Sequence, residues 1–502
     1  MNVPQPSPPK GGKIVLFNPK PSEISRKKGV LPLALLAIGN RLHREGYEIL
    51  ICDGMFDTVT PKMLQGAVCL GIGAMIGYQI HGGLKVAQMA RASYPDLPIV
   101  WGGWHPSIQP EQTAQSPWVD VVVRGQGEVT FYELVKALET GGDLQSIQGL
   151  IYKKNGRIHS TPHRSLVDPN EFPPLPYHLL DMERYIHETE FGYRTINYIS
   201  SVGCPHRCGF CAEQLVHGRS WLPLTADRVV SDLAMLAATY SLDAIAINDS
   251  DFFISEKRVI AISQGLLDHG VHLKWGNVNG RPDELVRYRE STWALMKKSG
   301  LSSLLTGAET SDGEILAIIN KGGTVQQVIE LAKRAGQFDI ALRCSFMVGL
   351  PFAQRRKSLE AEFSELMDFI NGLYAENQEN MFLVFLYTPF PGSPLFDTAV
   401  ELGYAAPQSL EAWAENLTGL NQSMTPWMDD RVAERVYQVN FYFPFVSGVV
   451  RKIIAKKPFY QRIILSPVER ILFYWMKFRL KRQFFAFPLE YHLIRKGFQI
   501  FH

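Results

Sequence analysis

Three thiols stand close together in the run Gly203-Cys204-Pro205-His206-Arg207-Cys208-Gly209-Phe210-Cys211. Thiolates gathered in one tight loop suit soft metals, and an iron–sulfur cube ordinarily takes one cysteine on each iron. The C-x3-C-x2-C spacing of Cys204, Cys208 and Cys211 supplies three, which leaves one iron open to a substrate or cofactor. The closed four-ligand sites used for structure or electron transfer lack that opening. The bland alternatives are a zinc site completed by His206 or His217, and three unrelated thiols. Zinc sites favour a C-x2-C pair followed by a second distant pair, and the sequence holds no second pair. Cys52, Cys69 and Cys344 sit in apolar, strand-like settings where a free thiol is a small buried side chain. This cysteine usage predicts a reducing, cytoplasmic compartment.

The elements that must position the loop can be read around it. At 502 residues the chain exceeds one core, so several domains are expected. Short apolar runs at 13–17, 47–52, 67–72, 99–101 and 119–123 alternate with helical stretches at 31–45 and 84–93, which implies a parallel sheet with right-handed crossovers. Small residues fall where these strands end: Gly71 and Gly73, Gly102 and Gly103, Gly125 and Gly127. Glycines there let backbone approach a ligand lying beyond the carboxyl ends of the strands. The G-x-G-x-x-G dinucleotide fingerprint is absent after the first strand, which lowers the case for NAD or FAD. The proline-rich stretch 168–177 reads as a linker.

Beyond the linker, strands are expected at 195–200, 243–248, 273–277, 303–306, 342–348 and 381–387, with helices between them. That pattern is a partial β/α barrel, whose chemistry belongs at the C-terminal strand ends. Those ends carry the cysteine loop, Asp249 and Asp251, Arg281, Gly307 and Glu309, and Arg343 and Ser345. A carboxylate there can instead cap the following helix, and Arg281 can brace a loop. The expected division is a disordered tail at 1–12, a sheet domain at 13–160, a linker at 161–192, a barrel at 193–395 and a helical region at 396–502.

The cysteine spacing, with Phe210 directly before Cys211, resembles the radical S-adenosylmethionine (SAM) enzymes. Gly102-Gly103-Trp104-His105-Pro106, followed by Asp120-Val121-Val122-Val123-Arg124-Gly125-Gln126-Gly127-Glu128, resembles the cobalamin-binding domain fused before many of them. The resemblance implies an α/β chain: a Rossmann-like cobalamin domain, then a (β/α)6 TIM-type core, then a helical C-terminal region. It implies a [4Fe-4S] cluster on Cys204, Cys208 and Cys211, and SAM near Phe210, Asp249, Asp251, Arg281, Gly307, Glu309, Arg343 and Ser345. Cobalamin would lie against Gly71, Gly73, Gly102, Gly103, His105, Gly125 and Gly127. The D-x-H-x-x-G motif is absent, which implies cobalamin held without a protein histidine on cobalt. His105 reads equally as a structural hydrogen-bonder, and His43 as a solvated helix residue.

The implied reaction is reductive cleavage of SAM, fed by an external low-potential electron donor, with cobalamin methylating an unactivated carbon of a large apolar or anionic small molecule. The same domain order serves the anaerobic magnesium-protoporphyrin monomethyl ester cyclase, so cyclisation or rearrangement of a tetrapyrrole or lipid without methyl transfer is the runner-up. A non-catalytic iron–sulfur or cobalamin sensor is the reading of another class. Gly307 to Glu309 and Gly349 to Pro351, which look like a SAM cradle, argue against it.

From about Phe396 the strand and helix alternation is lost. Ser466-Pro467-Val468-Glu469 has the form of a capping box and predicts a helix start there. Along it Ile471, Leu472, Trp475 and Phe478 share a face, opposite Arg470, Lys477 and Lys481, with Arg479 spoiling the separation. Such a basic, aromatic segment suits peripheral contact with a membrane interface; the alternative is a cap packed on the barrel with its charges solvated. No N-terminal signal and no bilayer-spanning apolar run is evident. A formal net charge of +2, without a basic groove elsewhere, argues against nucleic acid as a partner.

Overall fold

Seven strands form the first sheet, ordered across it as Glu48–Asp53, Lys13–Asn18, Ala67–Gly73, Ile99–Gly102, Val121–Val123, Leu150–Lys154 and Arg157–Ser160. The computed structural model describes residues 11–21, 29–352, 357–415 and 425–493, so the tail expected at 1–12 lies, apart from Gly11 and Gly12, outside the described residues. Strands β1 (Lys13–Asn18), β2 (Glu48–Asp53), β3 (Ala67–Gly73), β4 (Ile99–Gly102) and β5 (Val121–Val123) pair in parallel, each an apolar run closed by small or polar residues. Strands β6 (Leu150–Lys154) and β7 (Arg157–Ser160) extend the parallel core as an antiparallel hairpin. Its turn is Asn155-Gly156, both with positive φ, the pairing a two-residue hairpin demands.

Helices Leu33–Arg44 and Gly127–Thr140 cover one face of the sheet, and Tyr78–Ser93 covers the other. A later segment completes the second layer. Helix Leu410–Glu415 returns from beyond the barrel and buries Leu410 and Trp413 in the sheet domain's core. Trp413 Nε1 donates to Gln112 at 2.7 Å, and Ser116 donates to Glu411 at 2.6 Å. His43 is half-buried rather than solvated, its Nε2 3.0 Å from His178; burial first, then His178, lowers its pKa.

The barrel strands are β8 (Thr195–Tyr198), β11 (Ala244–Ile247) and β12 (Lys274–Gly276) in one group, and β13 (Val278–Asn279), β14 (Ser303–Glu309), β15 (Ala341–Val348) and β16 (Met381–Leu386) in another. All pair in parallel. The third barrel strand is broken at Asn277, whose φ of 54° turns the chain so that β12 stays with β11 while β13 joins β14. A short antiparallel pair, β9 (Ser201–Val202) with β10 (Leu222–Pro223), closes the base of the cysteine loop.

A partial barrel leaves edge strands, whose free backbone groups need cover. Helix Asp430–Val446 packs on β16, and the Asn440 side chain accepts from Val384 N (2.8 Å) while donating to Val384 O (2.6 Å). Lys456 donates to Thr189 O at 2.7 Å, so the C-terminal helices reach from β16 to the chain just before β8.

The expected helix start at Ser466 is corrected: one helix runs Phe459–Lys481 with Pro467 inside it. Proline removes the N–H that would bond Ile463 O, a tolerable loss because that face lies in solvent, with Ile463 itself exposed. Glu469 turns inward, 3.2 Å from Arg451, instead of back toward a cap. Ile471, Trp475 and Phe478 face outward while Arg479 and Met476 are buried, so the cap does not pack by its apolar stripe. Replacing Asn440 by alanine strands a buried N–H and C=O of Val384. We expect a loss of about 1–3 kcal/mol in urea unfolding of the full chain.

Candidate active site and cofactor cavity

The cysteine loop is fixed from three sides. Gly203 has φ 82°, and a Cβ on it would overlap Ser220 O, so only glycine makes this turn. Gly209 N donates to Ile319 O at 2.7 Å, Leu395 N donates to Gly209 O at 2.9 Å, and Asn320 donates to Arg207 O at 3.2 Å. Segments following β14 and β16 therefore hold a loop that follows β9. Burial pushes the Cys204 thiol up to about 12 and Cys211 up to about 11. A bound cation reverses that preference by coordinating thiolate.

Two buried cations back the thiols. Arg281 Nη1 lies 3.6 Å from Cys208 Sγ, and its guanidinium is held by Asp283 (3.1 Å) and by Lys321 O. Lys321 Nζ pairs with Glu309 Oε1 at 2.6 Å and stands 5.8 Å from the Phe210 ring. Burial opposes the charge of Lys321, but the Glu309 carboxylate and then Cys208 hold its pKa above the ordinary value. Three soft donors, with positive charge behind them, fit an iron–sulfur cluster. They fit zinc less well, because the three thiols do not converge with a histidine on one point. His206 Nε2 lies 2.9 Å from Glu284 and 3.3 Å from Asp251, and His217 lies 2.8 Å from Glu213. The ligand atoms of Cys204, His206 and Asp251 gather within 4.8 Å, but Cys208 and Cys211 stand outside that trio. Burial works against a charged His206, yet its carboxylate neighbours raise the pKa to about 9.

The other strand-end residues divide by their partners. Asp249 is fully engaged: Ser200 N and the Ser200 and Ser201 hydroxyls donate to it, each at 2.6 Å. Burial raises its pKa despite those bonds. Glu309 has φ 64°, and the β14–β15 register slips beside it. Left-handed backbone at a non-glycine residue is costly and collects at functional sites. A Cβ on Gly307 would overlap Glu309 Oε1, so the glycine makes room for this carboxylate. Arg343 forms an ion pair with Glu190, and Ser345 donates to Thr306 O at 3.4 Å, both away from the cysteines' immediate partners. Phe210 packs with Leu316, Ile319 and Leu395. Sequence reasoning missed Lys321, Glu284 and Glu190. Of these, Lys321 carried a signal, standing just before Gly322-Gly323 after a helix.

A cavity of about 550 Å³ lies between the sheet and the barrel, within the range of cofactor pockets. All six of Gly71, Gly73, Gly102, Gly103, Gly125 and Gly127 line it. Facing them are Tyr198, Ile199, Asn248, Ser250 and the run from Ser200 to Gly203, with Phe172 and Leu175 of the linker at one side. The sheet side contributes no histidine to this lining. His105 is not brought to the cavity. It is 2% exposed, its ring lies edge-on to Trp413 at 5.6 Å, and burial pushes its pKa down to about 4. Neither of its ring nitrogens has a hydrogen-bond partner, so it is an apolar packing element in this setting.

A barrel whose mouth carries a three-cysteine loop, set against a glycine-walled cavity under a parallel sheet, defines an enzyme that combines an open-iron cluster with a second, sheet-bound cofactor. Residues 24–135 match the B12 binding domain, and residues 198–358 match the Radical SAM superfamily. The chain is 30% identical over 400 residues to "Uncharacterized methyltransferase PH0819" of Pyrococcus horikoshii, covering 77% of this chain and 83% of that one. It is 27% identical over 332 residues to the anaerobic magnesium-protoporphyrin IX monomethyl ester cyclase of Rubrivivax gelatinosus, covering 64% and 56%. The solved structure of the cobalamin-dependent SAM radical enzyme OxsB, with aqua-cobalamin and SAM bound, shares the fold with a TM-score of 0.65 at 17% identity, covering 98% of this chain and 75% of that one. The chain belongs to the radical SAM enzymes that carry an upstream B12-binding domain. Its cofactors are a [4Fe-4S] cluster, SAM and cobalamin.

Alanine in place of Cys204, Cys208 or Cys211, one at a time, removes a ligand from one loop. After anaerobic reconstitution we expect iron and sulfide content to fall to near background with the far-UV circular dichroism spectrum unchanged.

Proposed function

We propose that this enzyme methylates an unactivated carbon of a large apolar or anionic small molecule held between the cysteine loop and the cavity. One observation carries the reading: Gly203, adjacent to Cys204, lines the same cavity as the six glycines of the sheet. When bound, the cluster with SAM supplies hydrogen abstraction from an unactivated position, and cobalamin supplies a methyl carrier. The chain's own residues bind and orient. Cys204, Cys208 and Cys211 would hold the cluster, and Arg281 and Lys321 behind them would offset its negative charge. Glu309 presents a carboxylate to a polar group of SAM, with Gly307 leaving the space. Asp249, locked by Ser200 and Ser201, braces the chain leading into the cysteine loop instead of contacting a ligand. The glycine edges admit cobalamin against backbone, and the linker's Phe172 and Leu175 help to keep water out. Electrons come from an external low-potential donor.

A second reading is kept because of the cyclase relative: cyclisation or rearrangement of a tetrapyrrole or lipid without methyl transfer. One assay separates the two. The reconstituted enzyme is incubated anaerobically with SAM, cobalamin, a strong reductant and metabolite extract. Methylation yields S-adenosylhomocysteine together with 5′-deoxyadenosine. Deoxyadenosine alone favours the second reading, and neither product overturns both.

Two variants test the roles. Gly73→Val meets only the flexible Leu35 side chain, at 3.3 Å from the new Cβ, but narrows the cavity. Cobalamin uptake, read by corrin absorbance, should fall about tenfold, equivalent to ~1.4 kcal/mol. Gly307→Ala displaces Glu309 and should weaken SAM binding by a similar factor of about ten while iron content stays normal.

A further inference from the structure

The helix Phe459–Lys481 presents the wrong side to water for a helix that merely caps a barrel. Its buried residues include Arg479 and Glu469, 1% and 5% exposed. Its outward residues include Tyr460, Ile464, Ile471, Tyr474, Trp475 and Phe478, exposed between 39% and 70%. At 100° per residue these six fall within an arc of about 100°, a single stripe along a helix roughly 35 Å long. Phe484, its ring 6.4 Å from Phe478, lengthens the stripe. Soluble chains rarely leave so much contiguous apolar surface open unless something docks there.

The charges around the stripe point to the occupant. Arg470, Lys481 and Arg482, which flank the stripe, are exposed and form no ion pair among the described residues. From Val449 to Leu493 the acidic residues are Glu469 and Glu490, which pair with Arg451 and Arg479. The outward surface is thus aromatic and cationic. A second copy of the chain is a poor match, because a two-fold pairing of this face sets cations against the same cations with no carboxylate between them. No helix among the described residues is long and apolar enough to cross a membrane, so the helix would lie along a surface.

We propose that this face docks on the surface of a bilayer containing anionic phospholipid. The rings of Tyr460, Tyr474 and Trp475 enter the headgroup boundary, and Arg470, Lys481 and Arg482 beside them meet lipid phosphates. Pro467, inside the stripe, costs little there because the Ile463 carbonyl it leaves unbonded stays at the polar interface.

The test uses the full reconstituted chain in vesicle flotation. Vesicles of mixed phosphatidylglycerol and phosphatidylcholine should capture at least tenfold more protein than phosphatidylcholine alone, and raised salt should reduce the excess. Ile471→Ser, at an exposed site, and Ile471→Ser with Trp475→Ser should each lose at least tenfold in capture while SAM cleavage in detergent-free buffer stays unchanged. Arg470→Glu with Lys481→Glu should remove the preference for anionic vesicles. Equal capture by both vesicle types, or capture by neither, overturns the proposal. So does a dimer split by Ile471→Ser with Trp475→Ser, which makes a second copy the occupant. Capture seen only after deletion of residues 494–502 makes that segment the occupant, and likewise overturns it.

Discussion

A buried charge relay beneath the cysteine loop is the constraint around which the barrel mouth is built. Arg281 faces Cys208, Lys321 gives its backbone carbonyl to Arg281, and its ammonium pairs with Glu309. Cations are held out of water only where partners compensate the lost solvation. The partners come from several elements, namely the start of the helix Pro282–Leu285, the end of β14 and the loop before Gly322-Gly323. The positive φ of Glu309 and the absent side chain of Gly307 follow from this relay, since the carboxylate reaches Lys321 only by turning back across the glycine. The left-handed backbone of Glu309 is thus held in place by the Lys321 ion pair.

The second constraint is spatial. The cavity exists because two sets of strands end toward each other: glycines finish β3 and β4 and follow β5, and Tyr198 ends the first barrel strand with Ile199 to Gly203 following it. Holding the two bodies in this relation falls to segments with little regular structure. The linker is pinned where Asn40 donates to the carbonyls of Pro173 and Pro174, at 3.0 and 3.1 Å. The Leu410–Glu415 helix reaches back to bury Trp413 against the sheet domain. Parts distant in sequence thus enclose one chamber, a geometry that allows a reactive group to be shielded from water.

The C-terminal helices serve the barrel on one side and present an aromatic, cationic surface on the other. Their inner duty is visible in Asn440, which satisfies an edge strand that would otherwise expose unpaired backbone. The helix Phe459–Lys481 contributes Met476 and Leu480 to the core, with Arg479 buried through its bond to Glu490. The inward charges are neutralised locally, which leaves the outward surface strongly cationic.

The amino-acid sequence by itself determined the chemistry-bearing loop, where the parallel strands of both bodies fall along the chain and the six glycines of the cavity. These features are local: cysteine spacing, apolar period and backbone permissiveness are written over a few neighbouring residues. The Asn155-Gly156 hairpin was equally local and equally readable. Tertiary structure alone decided the rest. Glycine-proline context could not show that His105 turns from the cavity to Trp413, because that ring arrives from about three hundred residues away in the chain. Nor could periodicity tell which face of the last helix is covered. A moment marks an apolar stripe, but only the packed neighbours decide whether it faces protein or solvent. Asp249 and Lys321 show the same division at the site: residue type advertises charge, while partners from other strands decide whether that charge is locked into the scaffold or stands behind the thiols.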